Sequence, residues 1–192
     1  CADYTFLQSL PEIEQSESWQ KLVFFPGSTV GNLEKSDAIL LLKNVNRLLK
    51  SSGHMLIGFD LMKDKDTLEA AYNDGAGHTA AFNLNLLERM NDELGANFDV
   101  NNFRHEAFLN QDKSRIEMHL ASECEQTVRI SGQDFHFDRD ETIHTESSHK
   151  YSLQSFSELA KQAGFELCQT WTDKERKFAV VLMKAYNLHA VN

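Results

Sequence analysis

Leu22-Val23-Phe24-Phe25-Pro26-Gly27, then Lys35 to Lys50, then His54-Met55-Leu56-Ile57-Gly58-Phe59-Asp60 are the stretches whose reading decides the fold. The first is a short apolar run stopped by Pro-Gly, the pattern of a buried strand entering a turn. In the second, Ile39, Leu41, Leu42, Val45, Leu48 and Leu49 recur at helical spacing, with Ser36 placed to cap the start and Gly53 to stop the end. The third is again mostly apolar and ends on a polar group. Strand, helix and strand make a βαβ unit, the crossover that parallel pairing requires. The first 60 residues therefore predict part of a parallel α/β sheet.

Outward from this unit the pattern changes. Lys65 to Asn73 and Thr79 to Leu94 read as helices, the second with Phe82, Leu86, Leu87 and Met90 along one face. Between Phe103 and Phe137 the apolar residues alternate. Arg115 to Leu120 and Gln126 to Ile130 are period-two segments, expected as antiparallel strands with one wet face, and Ser131-Gly132 marks a turn. Ser152 is placed to cap a helix over Leu153 to Gln162. Gly164 to Leu167 and Phe178 to Met183 then predict a hairpin around Thr172-Asp173-Lys174, suited to the closing edge of a doubly wound sheet. The expected organisation is a partial α/β core over 1–60, an α+β insertion over 61–150, and a return to the core over 151–192.

Composition limits the possible functions. At 192 residues, 41% hydrophobic and 25% charged, the chain is neither disordered nor a disulfide scaffold. No apolar run approaches the roughly 20 residues of a membrane-spanning helix. The formal charge of −10 repels a polyphosphate backbone and no basic stripe offsets it, which excludes a nucleic-acid partner. Cys1, Cys124 and Cys168 are scattered without ligand spacing, as expected of reduced thiols in a cytoplasmic protein. The chain opens on Cys1 with Tyr4, Phe6 and Leu7 already patterned like a core edge, so it is expected to be an N-terminally truncated piece of a longer protein.

In open α/β sheets ligands bind outside the carboxyl ends of the strands. There the segment Phe25 to Asn32 carries Gly27 and Gly31, which allow close backbone approach, and Asn32, which both donates and accepts. It lacks the phosphate-loop pattern. No GxGxxG follows any strand, so a cofactor's glycine-rich loop is expected upstream of Cys1. Eight histidines occur without HxxxH, HxH or HExxH, so no metal site is expected. A GxSxG elbow is also missing. On ordinary grounds Tyr72 is a core or rim tyrosine, Met118 is core packing, Asn32 is a turn residue, and Glu146 with Ser148 is a solvated strand edge.

FFPGSTVGN, GFDLMKDKDTLEAAYND, AGHTAAFNLNLLERMNDELGANFD, RIEMHL, ETIHTESSHKYS and WTDKERKFAVVLM occur in that order across essentially the whole chain. Together they resemble the S-adenosylmethionine-dependent histidine N-alpha-methyltransferases, which make hercynine for ergothioneine biosynthesis. The resemblance implies a class I, Rossmann-like methyltransferase core with an inserted α+β substrate-binding domain. By the same resemblance Asn32 matches the asparagine that holds the amino acid's amine and carboxylate end, and Gly27 lines that site. Tyr72 matches the tyrosine reaching the substrate carboxylate, and Met118 a residue packing on the imidazole side. Glu146 and Ser148 match the pair that hydrogen-bonds the imidazole. Asp3 and Tyr4 look like the pair that packs near the cofactor's adenine.

The implied reaction is in-line attack of a neutral amine on the sulfonium methyl of S-adenosylmethionine, repeated three times. It rests on positioning and desolvation and needs no metal or covalent nucleophile. Histidine's carboxylate, amine and imidazole each need a partner once buried, and a site built for them discriminates against analogues lacking the ring. Methylation of another amino acid, such as a tryptophan derivative, is the alternative within the same chemistry. A non-catalytic amino-acid-binding fragment is the alternative outside it. The parent is expected to be a monomer, and the piece to self-associate through an exposed sheet edge.

Overall fold

Val23 lies opposite Met55 and Phe25 opposite Ile57 in a parallel pair, so the leading βαβ unit forms as its pattern predicts. The computed structural model describes residues 20–50 and 52–187. The chain divides into two compact units, Cys1–Met62 with His149–Asn192, and Lys63–Ser148.

The first unit contains β1 (Leu22–Phe25), α1 (Lys35–Leu48), β2 (His54–Asp60), and, after the chain returns, α4 (Leu153–Gln162), β8 (Phe165–Thr172) and β9 (Phe178–Ala185). Its sheet runs β1-β2-β9-β8, with β9 antiparallel to both neighbours. The more apolar strand of the terminal hairpin is thus inside, and β8, with its polar Glu166, Gln169 and Thr170, takes the edge, where unpaired groups meet water. Met55, Ile57 and Phe59 of β2 and Ala179, Val181 and Met183 of β9 are fully buried, in one cluster with Leu41 and Leu42 of α1 and Phe156 and Leu159 of α4. Phe59 stacks on Phe156 at 3.9 Å, and Tyr151 meets both rings edge-on. The opposite sheet face stays open among the described residues, with Phe24 67% and Trp171 45% exposed.

Two expected helix signals act differently. α1 starts at Lys35 with Glu34 as its N-cap and no side-chain capping bond, so Ser36 lies inside the first turn and does not cap it. Gly53 sits beyond the C-cap, Leu49. A Cβ there would fall 2.6 Å from Leu49 and 2.7 Å from the Lys21 carbonyl, so its smallness serves close packing. At α4 the expected cap is present: the Ser155 N–H donates to Ser152 Oγ, and the Ser152 N–H donates in return to Ser155 Oγ.

The second unit contains α2 (Lys65–Tyr72), α3 (His78–Leu94), β3 (Phe103–Asn110), β4 (Arg115–Ser122), β5 (Gln126–Ile130), β6 (Gln133–Phe137) and β7 (Thr142–His149). β3-β4-β7 form one sheet and β5-β6 a separate hairpin. Helices α2 and α3 cover one face, burying Leu68 and Leu87 against Ile116, Met118 and Leu120 of β4. The wet face expected for β4 is dry. As the central strand it buries Arg115 and Glu117 as well, and these charges pair, with the Arg115 Nε and Nη2 atoms 2.7 and 2.6 Å from Glu117 Oε1.

Phe156→Ala removes the ring stacked on Phe59 and is expected to cost about 3–5 kcal/mol in urea unfolding. Phe24→Ser, on the open face, is expected to change stability by no more than about 0.5 kcal/mol. Similar losses for both would contradict this one-sided core.

Candidate functional site

In the first unit the turn after β1 is shaped by two successive left-handed residues, Gly27 at φ +80° and Ser28 at φ +60°. Ser28 is held there because its Oγ accepts the Asp60 N–H at 2.9 Å, and its carbonyl accepts the Gly31 N–H at 2.8 Å. Gly31 is buried, and a Cβ on it would lie 2.9 Å from the His149 carbonyl. Among the described residues a Cβ on Gly27 would meet nothing nearer than Thr29 Oγ1 at 4.0 Å. Asn32 ends the 3-10 turn Thr29–Asn32 and is exposed.

In the second unit Tyr72 is the last residue of α2, and its hydroxyl donates to Ser148 Oγ at 2.9 Å. Met118 is buried in the cluster on which Tyr72 packs. Glu146 is half-buried and lines an open cavity with Phe82, Asn83, Leu86 and Arg89 of α3. The structure therefore places Tyr72, Met118, Glu146 and Ser148 on the helix-covered side of the β3-β4-β7 sheet. Asp3 and Tyr4 lie outside the described residues.

This placement depends on an irregularity in β7. Ile143 packs with Leu87 and Leu120 on the helix side, and Ser148 meets Tyr72 on that same side. Their odd separation would put them on opposite faces under strict alternation, so the pleat skips once between them. Thr145 and Glu146 both line the α3 cavity, which locates the skip.

Two positioning residues escaped the sequence reading. Buried Asn83 donates to the His119 carbonyl at 3.1 Å and reaches His105 Nδ1 at 3.0 Å. His105 Nε2 is 2.8 Å from the Tyr72 carbonyl. The consistent tautomer donates from Nε2 to Tyr72 and accepts at Nδ1 from Asn83, fixing the helix end that presents the tyrosine. A histidine at an apolar-alternation position was the available signal.

An α/β sheet with a glycine turn, and an α+β unit with Glu146, Thr145 and Phe82 around an open cavity, define a mixed α/β protein. The chain belongs to the family of S-adenosylmethionine-dependent, histidine-specific methyltransferases, whose sequence profile matches residues 1–185. It is 36% identical to the histidine N-alpha-methyltransferases of Mycolicibacterium smegmatis and Mycobacterium tuberculosis, with 95% of this chain aligned in each case. The chain spans 56% of the length of each of these relatives. It is also similar, at 27% identity over 86% of the chain and 47% of the relative, to an L-tryptophan methyltransferase of Psilocybe serbica.

On the sheet face away from the helices, burial would push the Glu117 carboxyl up, but Arg115 and His119 hold it below its ordinary value. Burial and the neighbouring His144 push His119 below its ordinary 6.5, against the opposing pull of Glu117 and Glu106. Because the unfolded chain then takes up this proton more readily, the stabilisation is present above about pH 6.5 and is lost as pH falls through the folded value. A histidine-resolved NMR titration should find the His119 midpoint below 6.5, moving upward in His144→Gln. A midpoint at or above 6.5 would contradict the assigned environment.

Proposed function

We propose that this protein transfers methyl groups from S-adenosylmethionine to the α-amine of L-histidine, giving N,N,N-trimethylhistidine (hercynine), a precursor in ergothioneine biosynthesis. The carrying observation is that Glu146 lines a cavity while Ser148, two residues on, bonds the Tyr72 hydroxyl, in a chain of the histidine-specific family. Glu146 accepts an imidazole N–H of the substrate, and Ser148 supplies a second polar contact to the ring. On substrate binding the Tyr72 hydroxyl gives up its donation to Ser148 and offers its one proton to the substrate carboxylate. Met118 packs behind the ring. Asn32 accepts the amine N–H and Gly27 leaves space for the amino-acid end.

S-adenosylmethionine supplies the electrophilic methyl group. Among the described residues the open turn at Gly27 fits close approach of such a group, no glycine-rich loop is present for its nucleotide, and Asp3 and Tyr4 are assigned to its adenine from the resemblance alone. The chain's own contribution is to hold the amine in one orientation with water excluded, so no side chain is assigned as acid, base or nucleophile.

The free thiols of Cys124 and Cys168 suit a cytoplasmic location. No helix among the described residues is long and apolar enough to cross a membrane. The negative charge speaks against nucleic acid, and the working form is taken as a monomer.

The test offers all twenty amino acids in competition to the full-length protein and reads methylation by mass. Histidine gaining three methyls is expected, with kcat/KM for histidine falling about 10- to 100-fold in Glu146→Ala, the effect of one charge-assisted hydrogen bond. Preference for tryptophan would move the assignment to the other substrate class represented among the relatives. Unchanged histidine methylation in Glu146→Ala would remove Glu146 from the ring site.

A further inference from the structure

Glu117 and His119 are two apart on β4 and therefore project from one face of the strand. Met118 between them points to the helices, so this is the face away from the proposed amino-acid site. His144 of β7 joins them there, its ring stacked on His119 at 4.7 Å, with Phe108 on the other side of His119 at 5.0 Å. The structure assigns a second site to these residues: we propose that Glu117, His119 and His144 bind a divalent transition-metal ion of the zinc class, with water completing the coordination.

The ligand-capable atoms of the three residues all lie within 4.8 Å of one another. Tetrahedral zinc with ligands at about 2.0–2.1 Å needs edges of roughly 3.4 Å, and His119 Nε2 stands 3.5 Å from Glu117 Oε2. One edge of the polyhedron is already set, and the exposed His144 ring, stacked nearly parallel to His119, has to turn out of the stack as well as close in for its lone pair to reach the same ion. His119 Nε2 is buried without a hydrogen-bond partner, an orphaned nitrogen aimed at the carboxylate. Its other nitrogen, Nδ1, lies 3.0 Å from Thr142 Oγ1. Donation from Nδ1 to that hydroxyl leaves the Nε2 lone pair free, the outer-shell arrangement that orients metal-binding histidines.

The carboxylate is equally prepared. Arg115 and the Asn110 amide at 3.1 Å occupy Glu117 Oε1, leaving Oε2 on the side of His119. His144 Nε2 lies 3.1 Å from the Glu146 carbonyl and 3.1 Å from Ser147 Oγ, so donation there frees Nδ1. Two imidazoles and one carboxylate are a borderline-soft donor set, matched to zinc and poorly matched to calcium or magnesium, which take all-oxygen shells.

The test is isothermal titration of tag-free protein with zinc chloride near pH 7.5, beside His144→Ala, His119→Ala and His136→Ala. One zinc per chain is expected, weakened at least tenfold in His144→Ala and unchanged in His136→Ala, whose ring sits in a separate exposed group with Glu125 and Asp138. His144 is exposed, so its variant keeps the test valid should His119→Ala fail to fold. X-ray absorption of the zinc form should show only nitrogen and oxygen ligands near 2.0–2.1 Å, with two imidazoles. No stoichiometric binding, equal affinity in His144→Ala, or loss confined to His136→Ala would each overturn the site.

Discussion

The Lys150 ammonium is 1% exposed and lies 2.9 Å from Asp60 Oδ2. Burying the ammonium is costly, and the partly exposed Asp60 carboxylate offsets that cost. The pair sits where the chain leaves the first unit and where it comes back. Around it the Tyr151 N–H bonds the Asp60 carbonyl, the Met62 N–H bonds the Tyr151 carbonyl, and Leu61 bridges Tyr151. With departure and return fixed side by side, the long excursion Lys63–Ser148 starts from a closed loop, which lowers the entropic cost of inserting it. The same aspartate donates its N–H to Ser28 and so holds the left-handed turn after β1. The ion pair thereby supports both the insertion's ends and the glycine turn.

Ser148 lies just before this clamp, at the buried end of β7. Its position is constrained on one side by the fixed return of the chain and on the other by Tyr72, itself held by His105 and Asn83. The skipped alternation in β7 resolves a conflict. Ile143 faces the core near Leu87, while Glu146 and Ser148, three and five residues later, reach the same side. A regular strand cannot do both, and an irregular pleat is a common device for re-aiming side chains near functional sites.

Much of the first unit was legible because parallel strands and their crossover helix write their periodicity directly into residues 22–60. Helix ends were less so. Ser36 looked like a cap, but the break in backbone geometry falls at Glu34, and a cap residue is defined by that break and not by its hydroxyl alone. In β4, Arg115 and Glu117 read as a wet face because alternation cannot reveal that a strand is central, with its outer face screened by side chains of the neighbouring strands. Glu146 and Ser148 shared a face as their spacing requires, yet which face was hidden by the irregular pleat. Ordinary pattern reading made them a solvated edge, and only the ordered combination of motifs pointed to a ligand. Local spacing could not bring His144 to His119 either, since they are joined by strand pairing across a long sequence separation.

The two faces of the β3-β4-β7 sheet carry different chemistry through one strand. On the helix side β7 presents Glu146 and Ser148; on the other it presents His144, stacked on His119. The link between them is short, because His144 Nε2 lies within hydrogen-bond reach of the backbone carbonyl of Glu146 itself. That contact spans the skipped alternation, beside the bond from Thr145 Oγ1 to the Met118 carbonyl. An ion drawing His144 toward Glu117 would pull on the segment that sets where the Glu146 carboxylate stands. A carboxylate that aligns a small substrate loses much of its effect when displaced by an ångström. An ion on the histidine face would in this way act on the proposed ring-binding face through one backbone contact, although no side chain belongs to both.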